Sequence, residues 1–453
     1  MKVAKFGGTS LADAAQIRKV CDIVLADPQR RLIVVSAPGK RSKTDTKVTD
    51  LLIALAEKHL AAGAADKELA AVVGRYAEIA RNLGLGGAIA DRIAADLRAR
   101  LATDTSHRAH FIDTLKAAGE DNSAKLVAEY LQSTGTDAHY ISPKDAGLLL
   151  SHEFGNAQVL PESYENLRRA LAGAPGITIF PGFFGYSPEG AVVTFPRGGS
   201  DITGSILAAA VKAEVYENFT DVDSVFVANP NMVAGPRALT ELTYREMREL
   251  SYAGFSVFHE EALAPVFRAG VPVCIKNTNN PSAPGTKITL ERFCPAGQIA
   301  GIASDNGFCS IYVGKYLMNR EIGFGRRLLQ VLEDEGLSYE HSPSGIDDIS
   351  VILREKHFTA AKETRVIERI RTELAAEEVT VERGLALVMI VGECMRHVVG
   401  IAARATAAFA RAGVNLEMIN QGSSEVSMMF GVKAADEKKA VQALYQEFFG
   451  AGK

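Results

Sequence analysis

Short, nearly unbroken apolar runs alternate with longer amphipathic stretches over the first part of the chain. The apolar runs predict strands at Met1–Phe6, Arg31–Ser36, Ala138–Ile141, Ile177–Pro181, Ala191–Thr194 and Val271–Ile275. Helical spacing predicts helices at Leu11–Leu25, Val48–Leu60, Asp66–Leu101, Ser123–Leu131, Tyr164–Leu171 and Thr203–Val211. This alternation is the mark of α/β architecture. The run from Asn277 to Gly285, rich in Asn, Pro and Ser, reads as a turn-rich break and a domain boundary.

The remaining residues carry an internal repeat. Gly323 precedes Gly336 by 13 residues, and Gly400 precedes Gly413 by the same interval. Past the second glycine, each copy has an acid, an aliphatic residue and a serine: Asp348-Ile349-Ser350, then Glu425-Val426-Ser427. The offset from Gly323 to Gly400 is 77 residues. Each copy reads strand, Gly turn, helix, Gly, strand, turn, strand. The helices, Arg326–Glu335 and Ala402–Ala412, have an apolar stripe that can cover one face of a small antiparallel sheet. Two such α+β units side by side would bury each other's sheet edges. Their helix N-termini and Gly-rich loops suit a small zwitterion and offer little catalytic chemistry.

Composition narrows the class. A chain of 453 residues, 47% hydrophobic and 23% charged, is expected to form several domains of a soluble protein. Its net charge of −4 argues against an electrostatic grip on nucleic acid. The basic stretch Lys40–Lys47 is local and mixed with Asp45. No signal peptide is expected, because Met1 leads directly into a strand, and no apolar run reaches transmembrane length. Five cysteines (Cys21, Cys274, Cys294, Cys309, Cys394) lack paired spacing. They are expected to be core residues in a reducing cytoplasm, with neither a zinc site nor a disulfide framework.

The chemistry sits at predicted strand ends. Lys5-Phe6-Gly7-Gly8-Thr9-Ser10 places a cation, two glycines and two hydroxyls where a strand meets a helix, as an anion cradle would. A plain turn with Thr9 or Ser10 as N-cap is the competing reading. Ser36-Ala37-Pro38-Gly39 and Thr49 bracket a loop with hydroxyls, although Thr49 alone reads as an N-cap. Glu120, in Gly119-Glu120-Asp121-Asn122-Ser123, offers a carboxylate to a substrate ammonium, or is a surface acid before a helix. Pro181-Gly182-Phe183-Phe184-Gly185 and Arg197-Gly198-Gly199-Ser200-Asp201 form the most specific pair. There Arg197 can hold a carboxylate bidentately, and Asp201 can orient Lys5 or a metal. Thr220-Asp221-Val222-Asp223, followed by Asn229-Pro230-Asn231, suits ribose, base or Mg²⁺, with a solvated turn as competitor. His152 and His259 have no partner at ligand spacing and read as structural. Glycine-hydroxyl loops with one Lys, one Arg and several acids suit phosphoryl transfer, which rests on positioning and charge neutralisation.

These segments, in this order and over nearly the whole chain, resemble the aspartate kinases of the amino acid kinase family. Leu242-Thr243-Tyr244, Ile275-Lys276-Asn277-Thr278 and Gln421-Gly422-Ser423-Ser424-Glu425-Val426-Ser427 add to the resemblance. It implies a three-layer α/β/α sandwich with a mainly parallel sheet over residues 1–290, then two ferredoxin-like ACT modules. Those modules would be 308–375, and 296–307 with 384–450, the first inserted within the second. It implies ATP- and Mg²⁺-dependent phosphorylation of the L-aspartate β-carboxylate, the first step toward lysine, threonine and methionine. Lys5, Gly7, Gly8 and Asp201 would surround the transferred group. Ser36, Thr49, Glu120, Phe183, Arg197 and Ser200 would bind aspartate. Ser10, Thr220, Asp221, Phe226 and Asn231 would join Lys5, Gly7 and Gly8 around ATP. A feedback effector, lysine before threonine, would meet Met318, Gly323, Phe324, Ser344, Asp347 and Asp348 at an ACT interface of a homodimer or larger assembly. The run to Lys453 is expected to leave no room for a fused homoserine dehydrogenase.

The departures lie on the nucleotide side. Phe226 stands where the family often has Tyr, Asn229-Pro230-Asn231 where it has Asp-Pro-Arg, and Gly254-Phe255-Ser256 where it has Gly-Ala-Lys. One of Lys40, Arg41, Lys43 or Lys47 would replace the lost charge. The alternatives are an amino-acid sensor with an impaired kinase domain, or a related kinase with another acceptor.

Overall fold

The computed structural model describes residues 1–255, 257–258 and 260–450. His259 and Ser256, both read in the sequence, lie outside them. Two compact units emerge: Met1–Val225 with Ala238–Arg248 and Ser256–Arg292, and Phe226–Arg237 with Glu249–Phe255 and Phe293–Lys453.

The elements of the first part are, in order, β1 (Lys2–Phe6), α1 (Ala14–Leu25), β2 (Arg30–Val35), α2 (Val48–Ala62), α3 (Asp66–Leu83), α4 (Ala88–Leu101), α5 (Arg108–Ser133), β3 (Ala138–Tyr140), α6 (Glu162–Leu171), β4 (Ile177–Pro181), β5 (Phe184–Tyr186), β6 (Val192–Thr194), α7 (Gly199–Ala210), β7 (Val215–Thr220), β8 (Val225–Phe226), β9 (Ala238–Leu239), β10 (Glu241–Thr243), α8 (Tyr244–Tyr252), α9 (Leu263–Ala269), β11 (Val273–Asn277) and β12 (Thr286–Thr289). One eight-stranded sheet runs β10-β12-β11-β7-β1-β2-β4-β3, all parallel except the β11–β12 pair. Its central strands are buried along nearly their whole length, as expected of a sheet covered on both faces. The C-terminal ends of β1, β2, β4 and β7 therefore share one edge, where α/β sheets bind ligands.

Four sequence expectations are corrected here. The Asn277–Gly285 break is not a domain boundary, because β12 pairs antiparallel with β11 across it. The stretch 66–101 is two helices, parted at Gly84, which takes φ +83°. The first helix begins at Ala14, capped by Asp13, and Gly8–Leu11 forms a separate 3₁₀ turn. Ser123–Leu131 is only the later part of α5, so Glu120 stands inside a helix and not before one.

The second unit continues with β13 (Gly301–Gly314), α10 (Phe324–Asp334), β14 (Tyr339–His341), β15 (Asp348–Arg354), α11 (Ala360–Glu373), β16 (Glu378–Val391), α12 (Ile401–Arg411), β17 (Met418–Asn420), β18 (Ser427–Lys433) and α13 (Glu437–Phe449). They form one sheet, β14-β15-β13-β16-β18-β17. The repeat's two copies share the long strands β13 and β16. Residues 301–306 pair with 386–391 in one copy, and 310–314 with 378–382 in the other. The register shifts between, around Gly307 at φ +82° and near Gly384 at φ +70°. Inward positions change parity there. Ile302, Ala386, Val388 and Ile390 enter one core, while Cys309, Ile311, Val313 and Val379 enter the other. A strand irregularity that changes the count by one keeps each copy's apolar side on its own helices.

Cys294 and Cys394 are disulfide-bonded, with Cα atoms 6.1 Å apart, against the expectation of unpaired cysteines. The segment entering β13 passes beside the turn after β16, a proximity that residues so far apart in sequence do not reveal. No helix among the described residues is long and apolar enough to cross a membrane.

Candidate active site

Lys5 lies on central strand β1, flanked by β2 and β7, and is 6% exposed. A buried ammonium needs a partner, and Lys5 Nζ meets Asp201 Oδ1 at 2.5 Å. Asp201 sits in the first turn of α7. Asn218, the register partner of Lys5 on β7, donates from Nδ2 to the same Oδ1 at 2.7 Å. Sequence reasoning missed Asn218, since a polar residue in an otherwise buried strand carried no motif.

The Gly7–Gly8 turn is packed against its surroundings. The Gly7 N–H donates to the Phe219 carbonyl at 3.2 Å. A Cβ on Gly8 would stand 3.0 Å from the Ala37 carbonyl oxygen, and one on Gly39 would stand 2.5 Å from the Gly8 carbonyl carbon. The Ser36–Gly39 loop thus lies on the turn backbone to backbone, held by Gly39 N–H to Gly8 O at 2.8 Å. The Ser10 hydroxyl is buried and shares a 2.7 Å hydrogen bond with Thr278. Neither Thr9 nor Ser10 caps α1, and Lys47 holds the N-cap position of α2, so Thr49 is not a cap either.

Glu120 is buried on α5, which packs on the same loop: a Cβ on Gly119 would stand 2.8 Å from that of Ala37. Its Oε2 has no hydrogen-bond partner among the described residues. Burial pushes its carboxyl up to about 7, opposed by the Ala37 and Glu120 backbone N–H groups and by Lys116 and Lys47. A buried carboxylate oxygen without a donor is rare in folded proteins.

Phe183 has φ +75°, a strained angle for a phenylalanine. Thr203 Oγ1 accepts its N–H at 3.0 Å, and Phe183 O accepts the Phe195 N–H at 2.9 Å. Cβ atoms on Gly182 and Gly199 would stand 2.6 Å from Ser200 Oγ and from the Phe183 ring respectively. The Phe183 turn is therefore seated on the start of α7. Arg197 is exposed just before α7 and makes no ion pair or hydrogen bond among the described residues. Thr220 is the last residue of β7 and Asp221 follows it. The neighbouring Asp223 accepts from Asn277 Nδ2 at 2.7 Å, and Thr278 N–H donates to Thr220 O at 2.9 Å. Phe226 and Asn231 belong to the second unit. His152 is half exposed, its Nδ1 3.1 Å from Ser187 Oγ and 3.0 Å from Glu189.

In the second unit the six effector candidates fall into two sets. Met318 and Phe324 are core residues beside Gly323, which begins α10 with φ +80°. Asp347 fastens that loop by accepting the Leu317 N–H at 2.8 Å. Ser344 and Asp348 instead line a groove of about 260 Å³ with Ser310, Ser350, Glu382 and Glu417.

Known proteins resemble this chain in sequence and fold. Residues 1–277 match the Amino acid kinase family, and residues 388–448 match an ACT domain. Aspartokinase 3 of Bacillus subtilis (strain 168) is 62% identical over 449 residues, covering 99% of each chain. The crystal structure of Clostridium acetobutylicum aspartate kinase, an allosteric enzyme, superposes with a TM-score of 0.88 at 36% identity, covering 99% of this chain and 100% of that one. E. coli aspartokinase III in complex with aspartate and ADP (R-state) gives 0.81, and in complex with lysine and aspartate (T-state) 0.79, both at 25% identity. These cover 99% of this chain and 100% and 99% of theirs. The chain belongs to the amino acid kinase family. Within that family it is one of the aspartate kinases, phosphotransferases with a carboxyl group as acceptor.

Proposed function

We propose that the chain transfers the γ-phosphoryl group of ATP to the β-carboxylate of L-aspartate, giving 4-phospho-L-aspartate and ADP. The observation that carries this reading is the unpartnered buried oxygen of Glu120 beside the loop that closes on the Gly8 turn. Glu120 takes the aspartate ammonium and Arg197 its α-carboxylate, with Ser36, Thr49, Phe183 and Ser200 completing the pocket. Lys5 neutralises charge on the phosphoryl group, steered by Gly7 and Gly8, and Asp201 orients Lys5. No general base is needed, because the attacking β-carboxylate is ionised at neutral pH. Ser10, Thr220 and Asp221 serve the nucleotide. Among the described residues no group of three acidic, His or Cys side chains could hold a metal alone. That donor chemistry fits Mg²⁺ carried on nucleotide phosphates, with Asp221 or Asp223 as the available carboxylates; bound there, Mg²⁺ would neutralise phosphate charge.

The chain works in the cytoplasm as a homodimer or larger assembly through its ACT modules. Its feedback effector is an end-product amino acid, lysine as the first candidate and threonine as the second. Support for lysine comes from the carboxylates Asp347, Asp348, Glu382 and Glu417 in the second unit, and from the lysine complex of the E. coli relative. Coupled ADP release with L-aspartate, L-glutamate or no acceptor, each with lysine and threonine titrated in, tests the whole reading. Aspartate-dependent release curbed by lysine is expected. Release indifferent to aspartate, or none, would overturn it.

A further inference from the structure

Helix α3 carries no motif, yet it buries an arginine against the catalytic turn. Arg75 is 5% exposed. Its Nη2 donates to the carbonyl oxygens of Gly39 at 2.7 Å and Ala12 at 3.1 Å, and its Nη1 donates to Asp45 Oδ2 at 2.8 Å. Ala12 directly follows the Gly8–Leu11 turn, and Gly39 is the residue that lies on Gly8. One rigid guanidinium fork thus holds three acceptors from three segments, a geometry an ammonium cannot reproduce.

Asp45 is held further by Arg41, through its backbone N–H and its Nε, each at 2.9 Å. Arg41 also reaches Glu78, one turn beyond Arg75 on α3, at 2.8 Å. These bonds, Arg41's first and then Arg75's, hold the Asp45 carboxyl far below the usual carboxylate range. Arg41 is therefore committed to carboxylates. Lys40 and Lys43 are left as exposed cations of the 40–47 loop, and Lys47 stands 3.6 Å from Asp50. An apolar residue would fill the Arg75 site with less desolvation, so what arginine adds is the fixed spacing of its acceptors.

We propose that Arg75 is a positioning residue for phosphoryl transfer. It locks the Ser36–Gly39 loop onto the Gly7–Gly8–Thr9 turn and, through Asp45, keeps the basic loop 40–47 folded beside that turn. The proposal rests on the reading of the turn as a phosphate cradle. The aspartate side of the same loop has separate supports: Ser36 N–H donates to Phe6 O at 3.2 Å, and Ala37 packs on Gly119. Loss of Arg75 therefore disturbs the phosphate end before the amino-acid end.

The test uses the full chain carrying Arg75→Met, Arg75→Lys, Asp45→Asn or both Arg75→Met and Asp45→Asn. The readouts are steady-state ADP release, ADP binding by calorimetry and urea unfolding. Arg75→Met is expected to raise the KM for ATP roughly tenfold or more and lower kcat, with the KM for aspartate changed less than about twofold. Arg75→Lys recovers little. Asp45→Asn, at the rim of the network, shifts the ATP KM less in the same direction, and the double variant is no worse than Arg75→Met alone. An unchanged ATP KM in Arg75→Met and Asp45→Asn, after correction for the folded fraction, overturns the proposal. So does full rescue by Arg75→Lys, or an equal rise in the KM for aspartate. If Arg75→Met does not fold, Asp45→Asn decides alone. Lys5→Met separates the two readings. Its full turnover would sink the cradle and the proposal together, whereas its collapse beside wild-type kinetics in Arg75→Met and Asp45→Asn would sink the proposal only.

Discussion

The proposed phosphate end and the proposed amino-acid end of the catalytic unit are built on opposite plans. At the phosphate end the charged and hydroxyl groups are already paired, Lys5 with Asp201, Asp201 with Asn218, the Gly7 N–H with Phe219 and Ser10 with Thr278, while Asn218 Oδ1 and Arg75 Nε stay buried without a partner among the described residues. At the amino-acid end Glu120 Oε2 is buried without a partner, and Arg197 is exposed and unpaired among the described residues. The first end is a scaffold that stands before the ligand arrives; the second is completed by the ligand. A transferring phosphoryl group requires position above all, whereas a small zwitterion is selected by charges that only it can neutralise.

The largest effect should come from breaking the scaffold at its charge. Lys5→Met is expected to lower kcat roughly a thousandfold while leaving aspartate affinity by calorimetry nearly intact, since Glu120 and Arg197 are the residues proposed to hold the substrate. Next is Gly39→Ala, whose methyl group would stand 2.5 Å from the Gly8 carbonyl carbon. It should reduce kcat/KM for ATP roughly a hundredfold, and equal losses for ATP and aspartate would erase the distinction between the ends. At the other end, Glu120→Gln should raise the KM for aspartate roughly thirtyfold, equivalent to about 2 kcal/mol, with the KM for ATP unchanged.

Acidity sharpens the same contrast. Glu120 titrates near 7 in the folded chain against an ordinary 4.5, burial being the main cause and Lys116 and Lys47 acting against it. Aspartate binding, which on the proposed reading needs the Glu120 anion, should therefore weaken as pH falls through 7. Stability runs the other way. The folded-state value is raised, so the stability this group contributes is complete below 4.5 and is lost as pH rises through about 7. Calorimetric melting of ligand-free wild type and Glu120→Gln between pH 5 and 8 should show this contribution only in wild type. The smallest effect belongs to the exposed cations: alanine at Lys40, Lys43 and Lys47 together should raise the KM for ATP about twofold to threefold, diminishing with salt.

The central strands were legible because buried parallel strands read as continuous apolar runs. Strand β7 was not in the predicted set, because Glu217 and Asn218 interrupt it. Both are polar for reasons of tertiary structure, Glu217 pairing with Arg30 and Asn218 holding Asp201. The middle of α5 was misread for a similar reason. Asp121 and Asn122 look like a solvated turn but are buried on Arg100, Tyr140 and Asp96, partners from other elements. The packed glycine turns at the strand ends were readable where glycines and charges cluster within a few residues. Arg75 and the Cys294–Cys394 bond were not, since each acts on segments far off in sequence.

Strands β13 and β16 pass through both copies of the regulatory repeat without interruption. Neither copy can be excised at a loop, because any cut between them severs a hydrogen-bonded ladder. The pair is a single part, and a recombination point inside it would leave two torn sheets.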